Sequence, residues 1–321
     1  METRQDRKWL AALVGAAFVV AFIAAPALAE EKFEDKFERT EALVKNGKFY
    51  LSNVSGNVEV LTWKEAQVKI EALKTSKARS LEKAKENAAK VTIEVTKGTD
   101  LVSVETKYPK REGGFWGGES INVSVDYRVW VPDQAAVELH SVSGDVNVAA
   151  VGGKARIDCT SGNVELLGAA GAEVHLVSGD LTLENIAGDA YLNTVSGDIE
   201  AARIKGSVEA EAVSGDIDLL DVSEAQTVDA QNVSGNITYV GVIKAGGRYE
   251  IKAHSGDVRM TIPAGSAFDF EAYTFSGDID SDFEIQVVGK ISPRELRGTV
   301  GKGGATVILK SFSGNIDLKK K

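Results

Sequence analysis

The sequence predicts an all-β fold, a β-solenoid of about eighteen residues per two-strand coil. Three observations predict it. In Val195–Val222 the chain reads V-SGD-I-E-A-A-R-I-KGS-V-E-A-E-A-V-SGD-I-D-L-L-D-V, with Val195, Ile204, Val213 and Val222 nine residues apart. The triplet Ser-Gly-Asp/Asn recurs at Ser143, Ser161, Ser178, Ser196, Ser214, Ser234, Ser255 and Ser276, spaced by 17 to 21 residues, with further copies at Ser55 and Ser313. Between triplets, apolar and polar residues alternate with the period of a strand.

Residues 1–29 read as an export signal. Arg4, Arg7 and Lys8 precede an apolar run, and Ala27-Leu28-Ala29 fits a small-residue cleavage site. The uncharged run is also near the length of an uncleaved membrane anchor. Both readings export the rest, to the periplasm, the cell surface or the medium. Residues 30–46 are dense in charge and are expected to be a loosely held lead-in.

Residues 47–132 are read as an N-terminal cap. Lys48–Leu61 carries one full repeat. A surface helix is expected over 76–90, with a thin apolar face of Ala78, Leu81, Ala84 and Ala88. Strands follow at 91–96, 101–108 and 121–131. They are expected to form an antiparallel sheet over the end of the solenoid, since an open end would leave backbone groups unpaired. Between the last two strands, Phe115 and Trp116 stand between paired glycines. Aromatics on such a loop suit partner binding, and equally suit folding back on the cap.

Residues 133–321 are read as the solenoid proper, with an insertion at 281–304. The turn glycines are Gly144, Gly162, Gly179, Gly197, Gly215, Gly235, Gly256 and Gly277. Glycine supplies a backbone conformation closed to other residues, and the Asp or Asn after it bonds its own backbone. Three residues after each serine (Val146, Val164, Leu181, Ile199 and on) and four before it (Leu139, Ile157, Val174, Leu192 and on) lie inward columns. The residue just before each serine (Val142, Thr160, Val177, Val195, Val213, Val233, His254, Phe275, Phe312) is nearly always apolar, and the column is expected to point inward. On that reading Val195→Asp would bury a carboxylate, and His254 would be a packing residue.

These units resemble a bacterial "putative adhesin" family of exported β-strand-repeat proteins, a domain of unknown function. The resemblance rests on Ser52–Val60 (SNVSGNVEV) with Trp63, on the tandem V-S-G-D-I units, and on the ending KSFSGNI at 310–316. It implies surface adhesion and brings no catalytic or ligand residues.

Chemistry is sparse. Cys159 is the one cysteine, so an intrachain disulfide is ruled out. It falls in a column of small residues and reads as a packed side chain. No nucleophile elbow, phosphate loop or catalytic triad stands out. No cofactor or metal is implied. The stacked acids at Asp145, Asp180, Asp198 and Asp216 suggest calcium only weakly, because the G-G-x-G-x-D pattern is missing. The outward set His140, Asp158 and His175 spans too far for one zinc ion. Net charge is −10, the wrong sign for nucleic acid.

The reading is a non-enzymatic exported envelope protein, an adhesin or binding scaffold with a rigid acidic surface. Its expected partners are cell-surface polysaccharide, an envelope protein, or another copy of itself. The alternatives are a polysaccharide-active solenoid enzyme and a calcium-stiffened spacer.

Overall fold

The computed structural model describes residues 30–109, 121–287 and 292–321. Two long sheets, of 14 and 13 strands, face each other across one apolar core. Each coil contributes one strand to each sheet, before and after its Ser-Gly-Asp/Asn turn. In the Ser196 coil these are Ala190–Ser196 and Ile199–Ala202. Neighbouring coils pair in parallel, serine beside serine: Ser161 with Ser178, Ser178 with Ser196, Ser196 with Ser214. The coil is therefore the repeating unit, and its core is filled from both strands by residues such as Leu192, Ile199 and Ala201.

One inward column is corrected. The residue before each serine points to solvent. Val142, Val177, Val195, Val213 and Val233 are 45–50% exposed, and Phe275 and Phe312 are 52% and 49% exposed. The physical reason is the strand period itself. Residues six, four and two before the serine face the core, as Ala190, Leu192 and Thr194 do. The odd positions must then face out, because successive side chains alternate. The chain reverses after the serine, not before it. The nine-residue rhythm joined unlike positions: Ile204 and Val222 are fully buried, whereas Val195 and Val213 are not. His254 is outward too, its ring stacked on Phe312 at 5.0 Å.

The expected mutational effects change accordingly. Val195→Asp should lower stability by about 1 kcal/mol or less, the range of strand propensity at a solvated site. Leu192→Asp buries an unpaired carboxylate and should cost about 3–5 kcal/mol. Urea unfolding of the two variants checks the order.

Coil order departs from chain order at both ends. The Ser55 coil (Lys48–Ser55 with Val58–Trp63) has the Ser143 coil on one side. On its other side lies a coil without the triplet, formed by Leu101–Lys107 and Val123–Pro132. At the far end the last coil in sequence, Ala305–Ser313 with Ile316–Lys320, lies between the Ser255 and Ser276 coils. The chain thus lays down the outermost coil first. It turns back through the antiparallel strand Glu295–Val300, which pairs with Phe268–Ser276, and then fills the gap. That strand, with Gln286–Val287 paired antiparallel beside it, lies within the expected insertion.

The N-terminal cap is continuous with the two sheets, not a separate sheet over them. Residues 30–46, expected to be loosely held, contain the strand Glu31–Ala42, antiparallel to Gln67–Ala78 over its full length. Phe37 packs against the core, and the charged side chains between make a poor template for further pairing. The helix is shorter than expected, Leu81–Lys90, because Gln67–Ala78 is strand and Ser80 caps the helix by accepting the Lys83 N–H at 3.3 Å. Ala84, Asn87 and Ala88 are its buried face, and Leu81 is exposed.

Candidate binding face and its turn ladder

The Ser-Gly-Asp/Asn turn builds a hydrogen-bond ladder along one side of the stack. The Oδ1 of each Asp or Asn accepts the backbone N–H of the same residue in the next coil. Asn163 N–H donates to Asp145 at 2.9 Å, Asp198 to Asp180 at 3.1 Å, Asp216 to Asp198 at 2.8 Å, and Asn236 to Asp216 at 2.7 Å. The ladder continues through Asn315 and Asp278 in stacking order, and at the other end Asp126 takes the place of the missing triplet toward Asn57. Asp and Asn share this column because the acceptor, not the charge, is what the next coil uses. Asp198→Ala should therefore cost about 1 kcal/mol and Asp198→Asn much less, by thermal melting. Melts with calcium and with chelator are expected to coincide.

In the buried column two before the serine, three of the polar side chains serve the same turns. Asn232 donates to the Gly215 carbonyl at 2.6 Å, Thr274 to that of Gly314 at 2.9 Å and Ser311 to that of Gly256 at 3.0 Å. Cys159 stands in this column, buried. Burial pushes its thiol above the ordinary value, which suits packing and not nucleophilic attack.

The outward face of the 14-stranded sheet carries three rows of side chains. Five residues before the serine stand Glu138, Arg156, Glu173, Tyr191, Glu209, Asp229 and Glu250. Three before it stand His140, Asp158, His175, Asn193, Glu211, Gln231 and Lys252. One before it runs the apolar row. Neighbours in the first two rows, with Lys48 and Arg248 beside them, are cross-linked. Arg156 pairs with both Asp158 and Glu173, Lys48 with Glu138, and both Arg248 and Lys252 with Glu250 at 2.6 Å. His140 reaches Asp158 through Nδ1 and Glu138 through Nε2, each at 3.1 Å, while His175 turns to Glu173 at 3.3 Å. The sheet thus divides the His140–Asp158–His175 set between different carboxylates. Among the described residues no three groups stand together as metal ligands.

Three grooves open on this face. One of about 490 Å³ includes Lys48, Glu138, Arg156, Glu173 and Tyr191 in its lining. A second of about 330 Å³ runs by Glu173, His175, Tyr191, Asn193, Glu209 and Glu211. The third, about 410 Å³, lies between Asn193, Glu211, Gln231 and Lys252 on one side and Val213, Val233 and His254 on the other.

Charge pairing tunes the carboxylates of this face. The hydrogen bond from Lys48, followed by that of His140, holds Glu138 below its ordinary value near 4.5, against burial. Burial pushes Glu250 up, but the hydrogen bonds and charges of Lys252 and Arg248 outweigh it and leave the group lowered. Glu173 is likewise pushed up by burial and brought down further by His175 and Arg156. A carboxyl lowered in the fold stabilises it above its unfolded value and loses that contribution as pH falls through the folded one. The melting temperature should hold steady from pH 7 to about 5 and fall below about pH 4.5, with a shallower acid limb in Glu138→Gln. Melts across pH check this.

The two N-terminal and loop expectations, the signal at 1–29 and the Phe115–Trp116 pair, lie outside the described residues. Among the described residues no helix is long and apolar enough to cross a membrane. The apolar row itself was missed as a surface feature. Counting strictly by twos from the column at Leu139 and Ile157 would have placed it outside.

No curated protein matches the chain. Several solved structures do. A "putative adhesin" from Bacteroides fragilis is 12% identical, over 88% of this chain and 96% of that one, with a TM-score of 0.42. A "putative lipid binding protein" from Parabacteroides distasonis is 14% identical, over 89% and 97%, with a TM-score of 0.39. A "putative cell adhesion protein" from Clostridium sporogenes is 10% identical, over 89% and 100%, with a TM-score of 0.22. Residues 48–319, which take in every Ser-Gly-Asp/Asn turn, match the Toastrack DUF4097 family, and the chain belongs to that family.

Proposed function

We propose that the protein is a non-enzymatic, exported binding scaffold of the cell envelope. It takes an extended polar polymer, cell-surface polysaccharide before others, along the outward face of its 14-stranded sheet. The observation that carries this reading is the pair of adjoining grooves on that one face, from Lys48 through Tyr191 to Glu211. Donors and acceptors recur there coil by coil, at the strand spacing of about 4.8 Å. A polymer of repeating units meets similar groups at each step, so individually weak contacts add along its length. Tyr191, half exposed between two of the grooves, offers a ring for a sugar to lie on. Adhesion, the role named for two of the solved structures above, is one form such a scaffold takes.

A panel of cell-wall and surface glycans tests the reading by affinity electrophoresis. Tyr191→Ala with Asn193→Ala should weaken retardation by about tenfold or more. Retardation by no glycan, or equal retardation of the variant, overturns it. Phe115→Ala with Trp116→Ala is the parallel arm, and unchanged binding there removes that loop from the site. Turnover by outward carboxylates would need an acid with a raised pKa beside a second carboxyl roughly 5–10 Å away. Glu173 is shifted the other way. The same panel should yield no cleavage products.

A further inference from the structure

The apolar row before the serines forms one continuous exposed ridge. In stacking order it runs Val54, Val142, Thr160, Val177, Val195, Val213, Val233, His254, Phe312, Phe275. Its aromatic end is stacked ring on ring: His254 on Phe312 at 5.0 Å and 12°, and Phe312 on Phe275 at 4.8 Å and 5°. Both faces of Phe312 and one face each of His254 and Phe275 are therefore spent on each other, and the ridge presents mainly ring edges and methyl groups. A sugar needs a ring face, so this row does not suit the polymer proposed above. A contiguous apolar strip of this kind on a soluble sheet marks an interface.

We infer that the ridge is the dimer seam of this protein, packed ridge to ridge against a second copy whose stack runs antiparallel. Three features select that occupant. The first is period: a ridge with one side chain per coil, about 4.8 Å apart, is matched in spacing by another of its kind. The second is volume. Antiparallel pairing sets Phe275 against Val54, Phe312 against Val142 and His254 against Thr160, so large meets small at both ends of the seam, while valine meets valine at its centre (Val177 against Val233, Val195 against Val213). Parallel pairing would set ring on ring at one end and leave a gap at the other. The third is charge. The adjoining row then places Asp158 opposite Lys252 of the second copy and His175 opposite Gln231, and no two acids meet. Ten coils give a seam about 43 Å long and, with the adjoining row about 7 Å away, roughly 10–13 Å wide. That is roughly 430–560 Å² per copy, the size of a weak, reversible interface.

Sedimentation equilibrium of the purified protein, without glycan, tests the seam independently of the polymer reading. The parent should form a reversible dimer. Val195→Lys with Val213→Lys, at the centre of the seam, should weaken it about a hundredfold or more, since like charges are then forced together. Circular dichroism checks that the sheets persist. Should that variant lose its fold, Thr160→Arg, at a site already polar and exposed, carries the same expectation. A monomeric parent, or a dimer that both variants leave intact, overturns the proposal. A spin label at Ser52→Cys in a Cys159→Ala background should report about 43 Å between copies. A distance under about 20 Å would mean parallel stacks and overturns the antiparallel seam.

Discussion

Gly197→Ala is expected to lower the free energy of unfolding by about 3 kcal/mol or more. Two effects add at this residue. Its φ is +131°, a conformation that side chains rarely adopt and that carries a strain of about 1–3 kcal/mol. A Cβ there would also sit 2.0 Å from the Gly179 carbonyl oxygen of the coil below. That oxygen belongs to backbone and cannot swing aside. The coils would have to part at the turn, where the Asp198 N–H donates its ladder bond to Asp180. Gly246→Ala separates the two effects. Its φ is +74°, but a Cβ would meet nothing within 4 Å, so only the left-handed strain of about 1–2 kcal/mol remains. Chemical unfolding of both variants measures the difference. Hydrogen exchange in the Gly197 variant should rise in the Ser178 and Ser214 coils as well, because each coil is held by its neighbours.

Deletion of residues 305–321 is expected to do more than shorten the stack. In a solenoid whose last coil is outermost, such a cut removes one interface. Here the last coil in sequence is ninth of the ten triplet coils, and its strands join the Ser255 coil to the Ser276 coil. Val307, Leu309, Ile316 and Leu318 are fully buried in it. Each such side chain contributes about 1.5–3 kcal/mol, so the four give roughly 6–12 kcal/mol as an upper bound. Without them the outer coil, Phe268 to Ser281, loses its parallel partners in both sheets. Limited proteolysis should then cut within residues 263–304 while the coils from Ser143 to Ser234 stay protected. A shortened chain that still protects Phe268–Ser276 would refute the coil order. Leu309→Asp should give a weaker form of the same pattern.

The proposed dimer seam and the proposed polymer share one sheet face and overlap in its middle row, at His175, Asn193 and Glu211, so the two contacts should compete there. The apolar ridge stands nearest the Ser-Gly-Asp/Asn turns, and the charged rows lie farther from them. Strand alternation leaves every second residue of each coil facing out, and the in-register stack turns each such position into a row. A single substitution column can therefore be changed without disturbing its neighbours, which is why Val195 and Tyr191 can be tested separately.

Much of the fold could be read from single residues. Glycine at the turn is required by a positive φ and by contact with the coil below. The Asp or Asn after it is required as an acceptor for the next N–H. Both demands are local, repeat once per coil, and write themselves into the sequence as a triplet. The inward columns at Leu139 and Val146 follow from the same alternation. The outward face was less legible. Valine before the serine satisfies a strand on either side of a sheet, so hydrophobicity alone sent Val177, Val195 and Val213 inward. Their place outside follows from parity with the buried neighbours.

What the sequence by itself determined is the coil: its length, its turn, and the residues that fill it, because these depend on contacts within a few residues and on the next copy of the same pattern. Only the tertiary structure decided where each coil stands. The SGN repeat that ends the chain pairs as well with one neighbour as with another, so no local preference puts Ala305–Lys320 between two earlier coils. Its position depends on the antiparallel return through Glu295–Val300, and that pairing joins residues far apart in the chain.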